Sequence, residues 1–441
     1  MGAGLTQYVP ARTQIWFNFM ENIIIKDLGE YIPGKFNSVS LNKLKEFIVV
    51  PYYIDWYKSS QSRKVFPIFL QELSDLNPTS FQFPGILTRN PFFEHAQIKY
   101  FVAYASDKKP LGRIMAFVDY NYNKQHNENT GGFGLFESVQ DKNVARKLID
   151  AAIDYLKKNS CNKVIGPAKF SATGEIGCLI EEFGNKPYFM EPYNAPYYSD
   201  FFVEYGFKKE NDWYAMNTDA IIANGYMEKI EKMMDRVNGT RRDTSTTGFE
   251  IRNVDFSNMK SEIKIIRDLY NYIWNTGHHP QQVVMTDKEF DILAIGIKTF
   301  AIKDLIFIVE KDNVPIGVSV SVPNVNEVIE EYDRKNPGIP SKKFFSIRDL
   351  KRDLGIFNIT KTRLKEKKFA GLRIMILGIR EEYRKAGIDS KLYYRTFKTA
   401  KDLGFTHGSG SQLADINLDI INPLFKMGNK SMTWRVYSLD I

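Results

Sequence analysis

The chain has 441 residues, and Lys plus Arg (60) exceed Asp plus Glu (52), which gives a formal net charge of +8. The hydrophobic fraction of 43% and the charged fraction of 25% are those of an ordinary globular protein, so they exclude a disordered chain, a collagen-like rod and a disulfide scaffold. The excess positive charge favours anionic partners, which include phosphate cofactors, nucleic acid and a membrane surface.

The two cysteines, Cys161 and Cys178, are too few for a disulfide framework, and we predict that both are reduced thiols. The chain opens without the charged and apolar pattern of a secretory signal. No run approaches 18 apolar residues, so no membrane-spanning helix is predicted. These features favour a cytoplasmic protein.

Beyond its first 35 residues, the first half of the chain alternates between strand and helix patterns. The predicted strands are residues 99–105, 111–120, 132–138 and 163–165. The predicted helices are residues 42–50, 141–160 and 197–205. The clearest is 141–160, because Val144, Leu148, Ala152 and Leu156 recur every four residues. A polar loop is predicted at 121–130.

The second half repeats this order of elements after a polar stretch, residues 239–248. Its predicted strands are residues 304–310, 314–322, 372–379 and 431–438. Its predicted helices are residues 261–274, 286–300, 387–403 and 417–427. In both halves a Gly lies just inside the second strand of a hairpin, Gly112 and Gly317. We therefore predict a divergent internal duplication within an α/β (α+β) fold.

The predicted boundaries follow from this duplication. They are an N-terminal extension at residues 1–35, a first domain at 36–220, a linker at 221–248 and a second domain at 249–441. Residues 324–370 interrupt the second copy with additional helical and basic sequence.

Several segments, in this order and spacing, resemble the GNAT superfamily of acyl-CoA N-acyltransferases, and in particular its tandem members. They are residues 90–95 (NPFFEH), 132–137 (GFGLFE), 190–198 (MEPYNAPYY), 380–392 (REEYRKAGIDSKL) and 434–437 (WRVY). The resemblance implies two GNAT-like domains, each a mixed central sheet flanked by helices. It also implies acyl-CoA as a co-substrate, and no metal.

The superfamily binds coenzyme A with a loop of the type Gln/Arg-x-x-Gly-x-Gly/Ala, whose backbone N–H groups and following helix N-terminus face the pyrophosphate. Residues 384–389 keep the Arg and the central Gly of this loop but end in Asp389. Residues 140–145 keep the Gln and the final Ala but have Asn143 at the central position. We therefore rank the second half above the first as the thioester site. The residues that the resemblance assigns to it are Ile379, Arg384, Lys385, Ala386, Gly387, Ile388 and Asn417.

Amide formation from a thioester needs a base for the amine proton and an acid for the leaving thiolate. The resemblance assigns the base to Glu137, at the end of a strand, and the acid to Tyr197 or Tyr198, at the start of a helix. Tyr437 is a candidate acid for the second half. A surface Glu and core or capping tyrosines are the structural alternatives for these residues.

Two further features stay open at the level of sequence. His278-His279 can serve a substrate loop, a metal site or a plain polar loop, and no ligand spacing completes a metal set. The basic run 361–368 (KTRLKEKK) can bind phosphates or form a solvated face.

The sequence thus predicts an N-acyltransferase that moves an acyl group from acyl-CoA to an amine. One alternative is a long-chain, ceramide-type lipid-amine acyltransferase with peripheral membrane contact. Another is a GNAT-like binding protein that has lost catalysis, since neither coenzyme A loop is intact. Nucleic acid is not a predicted partner, because no nucleic-acid-binding motif is recognised.

Overall fold

The computed structural model describes residues 23–79, 89–170, 174–219, 248–275, 279–343, 346–384 and 387–441, in which one mixed sheet is flanked by helices. The strands are β1 (Ile24–Ile32), β2 (Phe36–Asn37), β3 (Ala96–Tyr104), β4 (Pro110–Asp119), β5 (Thr130–Ser138), β6 (Lys163–Gly166), β7 (Cys178–Glu181), β8 (Lys208–Asn217), β9 (Phe249–Asn253), β10 (Ile306–Lys311), β11 (Val314–Pro323), β12 (Gly371–Ile379), β13 (His407–Ala414) and β14 (Asn429–Asp440).

The helices are α1 (Leu41–Ile48), α2 (Phe69–Asp75), α3 (Tyr120–His126), α4 (Lys142–Lys158), α5 (Tyr198–Tyr205), α6 (Met259–Trp274), α7 (Asp287–Phe300), α8 (Asn326–Lys335), α9 (Ile347–Glu366), α10 (Ile388–Asp402) and α11 (Leu418–Met427). The predicted α/β fold class is confirmed. Within the described residues, no helix is both long enough and apolar enough to cross a bilayer.

The strands lie in the order β2-β1-β3-β4-β5-β6-β14-β8-β13-β12-β11-β10-β9, and β7 pairs with β14. Each half contains a parallel pair, β5 with β6 and β12 with β13. Pairing stops at Gly132 and Ile165 in the first pair and at Ile374 and Gly410 in the second, although β5 and β12 continue. Each half therefore has a place where two neighbouring strands separate.

A register shift follows each separation point. The pairing of β4 with β5 passes from Met115–Gly134 to Arg113–Glu137, and the pairing of β11 with β12 also shifts one residue beyond Ile374. Such bulges bend a strand and re-aim its side chains, and they are frequent beside functional sites. The duplicated halves thus share the opening as well as the order of elements.

The last strand of the second half crosses into the first. β14 pairs antiparallel with β6 on one side and with β8 on the other, while β8 also pairs with β13. Trp434 on β14 is fully buried, and its indole N–H donates to the carbonyl of Pro192. Because of this exchange, the two halves form one continuous sheet, and one buried cluster combines Ile165 and Trp213 with Ala414 and Trp434.

Helix α4 shows why the periodic sequence forms this structure. Its apolar residues Val144, Leu148 and Leu156 are buried against the sheet, and burial of each such side chain contributes roughly 2 kcal/mol. Gly112 lies beneath this helix, where an added Cβ would approach Leu148 to 2.8 Å and the Glu137 carbonyl to 2.4 Å. A glycine at this position in the hairpin therefore allows the helix to pack closely on the strand.

The differences from the sequence predictions include two elements of the first half. The region predicted as an N-terminal extension contains β1, which pairs with β3 and whose register shifts between Asp27 and Gly29, so no simple alternation marks it. The predicted loop 121–130 contains the short helix α3, whose residues are all polar or aromatic. Its N-cap is Asp119, and Asn127 ends it in the left-handed conformation.

The predicted insertion forms α8 and α9, which dock on the first half. Lys45 of α1 and Asp349 of α9 form a buried ion pair with an N–O distance of 2.8 Å, and burial lowers the pKa of Lys45 against the influence of that carboxylate. Asp353 accepts backbone N–H bonds from Phe69 and Leu70 at the start of α2. The insertion is therefore part of the contact between the halves. The predicted linker, except for its last residue, lies outside the described residues.

Candidate functional site

Glu137 lies near the end of β5, and its side chain is buried. Its Oε2 accepts hydrogen bonds from the hydroxyls of Tyr57, at 2.5 Å, and Tyr198, at 2.8 Å. Lys64 Nζ lies 3.3 Å and Arg113 Nη2 3.8 Å from its Oε1. Two donors and two cations therefore compensate for the burial of this carboxylate.

Burial and the adjacent Glu137 raise the pKa values of Tyr57 and Tyr198 well above the ordinary tyrosine value. Both hydroxyls are therefore protonated at physiological pH and are available as donors.

Glu137 and Tyr198 line a cavity of about 140 Å³ to which both halves contribute. Helix α8 supplies Asn326 and Ile329 to its wall. The charged residues of the wall are Lys64, Glu72, Arg113, Glu137, Lys169, Glu175 and Glu191. A lining of this kind favours a polar or charged guest over an alkyl chain.

In the first half, two tyrosines lie beside the place where β5 and β6 separate. The Tyr197 hydroxyl donates to the Ser138 carbonyl at 3.0 Å, and the Ser138 N–H donates to the Tyr198 hydroxyl at 2.9 Å. The ring of Phe136 packs against those of Tyr198 and Phe202. The backbone groups that a ligand with amides would use are therefore already paired.

The helix start in the first half is also occupied. Asp141 is the N-cap of α4, and its carboxylate accepts the N–H of Asn143 at 2.8 Å. This places a negative charge at the N-terminus of the helix, where the resemblance predicts a pyrophosphate.

The corresponding helix start in the second half has no such cap. Gly387 is the N-cap of α10, with a φ of 77°, and no side chain caps the helix. Arg384 Nε donates to the carbonyl of Ile379 at the end of β12. Arg380 Nε is buried and has no hydrogen-bond partner. A helix start without a side-chain cap, a left-handed glycine and basic side chains suit an anionic ligand.

The remaining predicted residues of this loop differ in their surroundings. The side chains of Ile379 and Ile388 are buried in one apolar cluster, so they fix the loop and offer only backbone groups to a ligand. Lys385 and Ala386 lie outside the described residues.

A cleft of about 70 Å³ lies where β12 and β13 separate. Its lining includes Ile374, Met375 and Leu377 of β12 together with Gly410 and neighbouring residues of β13. This lining is mainly apolar, in contrast with the charged cavity of the first half. The two halves thus differ in the character of the space beside their separated strands.

Asn417 lines this cleft and is the N-cap of α11, but its side chain makes no capping hydrogen bond. Tyr197 is the corresponding N-cap of α5. The next residues are Leu418, which is 58% exposed, and Tyr198, which is 1% exposed. The first half has tyrosines at the positions where the second half has a small amide and an outward-facing leucine.

Among the described residues that line this cleft, His279 and Tyr393 are the ionisable ones. The ring of His279 stacks on Trp274, with centroids 5.4 Å apart, and Trp274 stacks on Tyr270. Burial raises the pKa of Tyr393, so its hydroxyl is a donor. His278, the other member of the histidine pair, lies outside the described residues.

Tyr437 is not in the second half, for which the sequence suggested it as an acid. It lies on β14 opposite Gly166 of β6, packs against Phe202, and its hydroxyl is 2.7 Å from Ser199 Oγ. The cause is the crossing of the last strand, which carries it into the first core. Burial raises its pKa to about 12.

The cysteines are free and buried, and burial raises the pKa of Cys161 to about 11. The pKa of Cys178, which lines the charged cavity, is raised further by the same cause. Both are therefore protonated thiols rather than nucleophiles.

Comparison with known proteins finds one matching family model and several similar chains. Residues 64–170 match the Acetyltransferase (GNAT) family. Protein YghO of Escherichia coli strain K12 is 27% identical over 348 residues, which cover 78% of this chain and 77% of that protein. The bacterial ceramide synthase of Caulobacter vibrioides is 26% identical over 372 residues, covering 83% and 85% of the two chains.

Among solved structures, the GCN5-related glucosamine N-acetyltransferase region of a fungal multi-domain GH3 β-N-acetylglucosaminidase aligns with a TM-score of 0.50 and 12% identity. The alignment covers 95% of this chain, which spans 38% of that structure's length. This likeness concerns the fold alone. Together with the family match, it leads to a limited assignment: the chain has a GNAT-like fold and contains a segment, residues 64–170, that matches the Acetyltransferase (GNAT) family.

Proposed function

We propose that the protein is an N-acyltransferase that binds acyl-CoA in the second half and transfers the acyl group to an amine. One observation carries this proposal: the cleft between β12 and β13 is open and lies beside a helix whose N-cap, Gly387, has no side chain. The equivalent places in the first half hold Tyr197, Tyr198 and the Asp141 carboxylate.

In this proposal the pyrophosphate lies at the N-terminus of α10. The free N–H groups after Gly387 and the positive end of the helix dipole stabilise it, and Arg384, Arg380 and Lys385 add positive charge. Asp389 lies in the first turn and serves the helix start. The pantetheine arm follows the separated edge of β12, where its amides meet unpaired backbone groups and the Asn417 side chain.

The chemistry needs one base in this cleft, and we assign it to His279. The amine nitrogen attacks the thioester carbonyl, so that a C–N bond forms and the C–S bond breaks. The proton that the amine loses passes to an imidazole nitrogen of His279 and then to the departing thiolate. Tyr393, which also lines the cleft, donates a hydrogen bond to the thiolate and keeps its own proton.

Glu137, with Tyr197 or Tyr198 as the acid, is the catalytic set of the competing proposal, in which the thioester lies in the first half. The match of residues 64–170 to the GNAT family and the larger cavity favour it. The engaged oxygens of Glu137 and the filled cleft weigh against it. In the second-half proposal, this cavity is an acceptor pocket or a structural remnant.

A long-chain amine is the acceptor that the relatives favour, because the bacterial ceramide synthase is similar over most of both chains. The corresponding reaction joins a fatty acyl thioester to a long-chain amino alcohol. The apolar lining of the second cleft is compatible with an acyl chain near its thioester end.

Calorimetric titration with coenzyme A, acetyl-CoA and palmitoyl-CoA, followed by amide detection by mass spectrometry, tests the proposal. We expect binding of at least one thioester and amide formation with a supplied amine. Short amines and long-chain amino alcohols, offered in parallel, distinguish the acceptor classes. Binding of a thioester without turnover of any amine would favour a GNAT-like binding protein that has lost catalysis. If no thioester binds, both the acyltransferase and this alternative are contradicted.

A further inference from the structure

Helix α9 belongs to the predicted insertion and has one face turned into the protein. The buried positions are Asp349, Asp353, Ile356 and Thr360, whose spacing of three and four residues defines a single side of the helix. Two of them make the contacts with α1 and α2 described above. The orientation of α9 on the molecule is thereby fixed by buried ionic and backbone contacts.

The opposite side of α9 exposes large apolar side chains. Ile347 is 63% exposed, Leu354 49% and Phe357 42%, and their spacing of seven and three residues places them along one flank. Helix α7, which contacts α9, exposes Ile292 and Ile295 in the same manner. Single exposed apolar residues are ordinary, whereas several on one helix favour an interaction surface.

Positive charge accompanies these apolar residues. Arg348, Lys351, Lys361 and Lys365 are exposed on α9, and two of them come from the basic run that the sequence left open. The remaining cations of that run are paired: Arg363 with Glu331, Lys367 with Asp304 and Lys368 with Glu366. Within the described residues, the structure gives Lys361 and Lys365 no ion pair.

We propose that this surface, which we name the α9 surface and define by Ile347, Lys351, Leu354, Phe357, Lys361 and Lys365, binds an anionic lipid bilayer. The helix lies in the interfacial plane, with the apolar side chains at the boundary between headgroups and acyl chains. The lysines contact lipid phosphates. Apolar residues combined with Lys on one exposed helical face are the pattern of interfacial helices.

The charge of the α9 surface favours a lipid partner over a second copy of the chain. A two-fold contact brings the same patch of each subunit together, so the lysines of the two copies would face one another. An anionic bilayer instead complements them. The apolar residues, in turn, are not needed by a purely electrostatic partner such as nucleic acid.

Co-sedimentation of the full-length protein with phosphatidylcholine vesicles, with and without phosphatidylglycerol, tests this inference without any thioester. We expect binding to vesicles that contain phosphatidylglycerol, weakened by added salt. The combined variant Ile347→Ser, Leu354→Ser, Phe357→Ser should bind at least about tenfold more weakly. The combined variant Lys351→Gln, Lys361→Gln, Lys365→Gln should lose the preference for anionic lipid.

A matched control changes two exposed apolar residues elsewhere, Val203→Ser and Val314→Ser, which are 58% and 48% exposed in the wild type. This control should bind as the wild type does, and all variants should show wild-type thermal unfolding, since no buried contact changes. Equal binding by the serine variant, or no binding by the wild type, would overturn the inference. So would a dimer in analytical ultracentrifugation that the serine variant abolishes, because it would assign the surface to a second copy.

Discussion

The two halves of the sheet carry the same separation between parallel strands, but the helix starts beside it differ. In the first half, tyrosines at the start of α5 pair with the backbone of Ser138, and Asp141 caps α4. In the second half, Asn417 and Gly387 stand at the matching helix starts and leave both positions open. In our proposal, a few residues at helix termini decide which copy accepts the ligand, while the fold of the two copies is similar.

Substitution of the proposed base is expected to give the largest difference in kcat between variants of the two halves. His279→Gln should lower kcat about 10²- to 10³-fold, because general-base catalysis contributes on that order, with little change in thioester affinity. Glu137→Gln should leave kcat within a few-fold, since Gln still accepts from Tyr57 and Tyr198. Steady-state kinetics, with an amine that the mass-spectrometric assay shows to be acylated, measures both.

The pH profile of kcat is a further check on the same pair. Activity of the wild type should fall on the acid side as the base is protonated, and His279→Gln should flatten that fall. A loss of activity in Glu137→Gln that exceeds the loss in His279→Gln, with unchanged unfolding, would move the reaction to the first half.

The filled cleft of the first half should matter for stability rather than for ligand binding. Tyr198→Phe removes the donor to Glu137 and the acceptor of the Ser138 N–H, so it should lower the free energy of unfolding by about 1–3 kcal/mol. Thioester affinity should be that of the wild type. Denaturant unfolding and calorimetric titration test the two statements, and a strong loss of affinity would show that the first cleft binds the ligand.

A smaller effect is expected from a contact that ties the halves together. His95 Nδ1 lies 2.9 Å from Asp119 of the first half, and its Nε2 lies 3.1 Å from Glu289 of α7. Although burial opposes the charged ring, these two carboxylates raise the pKa of His95 to about 9. The protonated ring therefore stabilises the folded state.

Because the pKa of His95 is raised in the folded protein, its contribution to stability decreases as the pH rises. An unfolded histidine has a pKa of about 6.5, so the contribution is complete below that pH and is lost as the pH rises through about 9. We expect it to be on the order of 1–2 kcal/mol, after allowance for solvent screening of the ring. We expect the unfolding temperature of His95→Gln to depend less on pH than that of the wild type between pH 6 and about pH 10. If the two proteins show the same pH dependence, the protonated His95 ring does not stabilise the fold.

Much of the fold follows from sequence because the signals are local. The apolar period of 141–160 predicts α4, and Gly206 marks the end of α5. The crossing of β14 has no local signal, since its alternation predicts a strand but not which strands it pairs with. For that reason Tyr437 was assigned to the wrong half.

The sequence predicts only part of the candidate site, because contacts between distant segments have no local signal. Glu137 and Tyr198 were predicted as partners and do meet. Tyr57 and Lys64 reach Glu137 from a segment more than seventy residues earlier in the chain, where nothing marks them as partners. The sequence left the histidine pair undecided, and only the packing of His279 on Trp274 brings it to the second cleft.

The most direct test of the central claim is calorimetric titration of coenzyme A into Gly387→Glu and a matched control, Gly404→Glu. These glycines flank the same helix, α10, and have similar positive φ values of 77° and 86°, so the two variants share backbone strain and added charge. The account predicts that Gly404→Glu binds as the wild type does, while Gly387→Glu loses at least about a hundredfold in affinity, or about 2.7 kcal/mol. Wild-type affinity in Gly387→Glu would contradict it and assign the thioester to the first half.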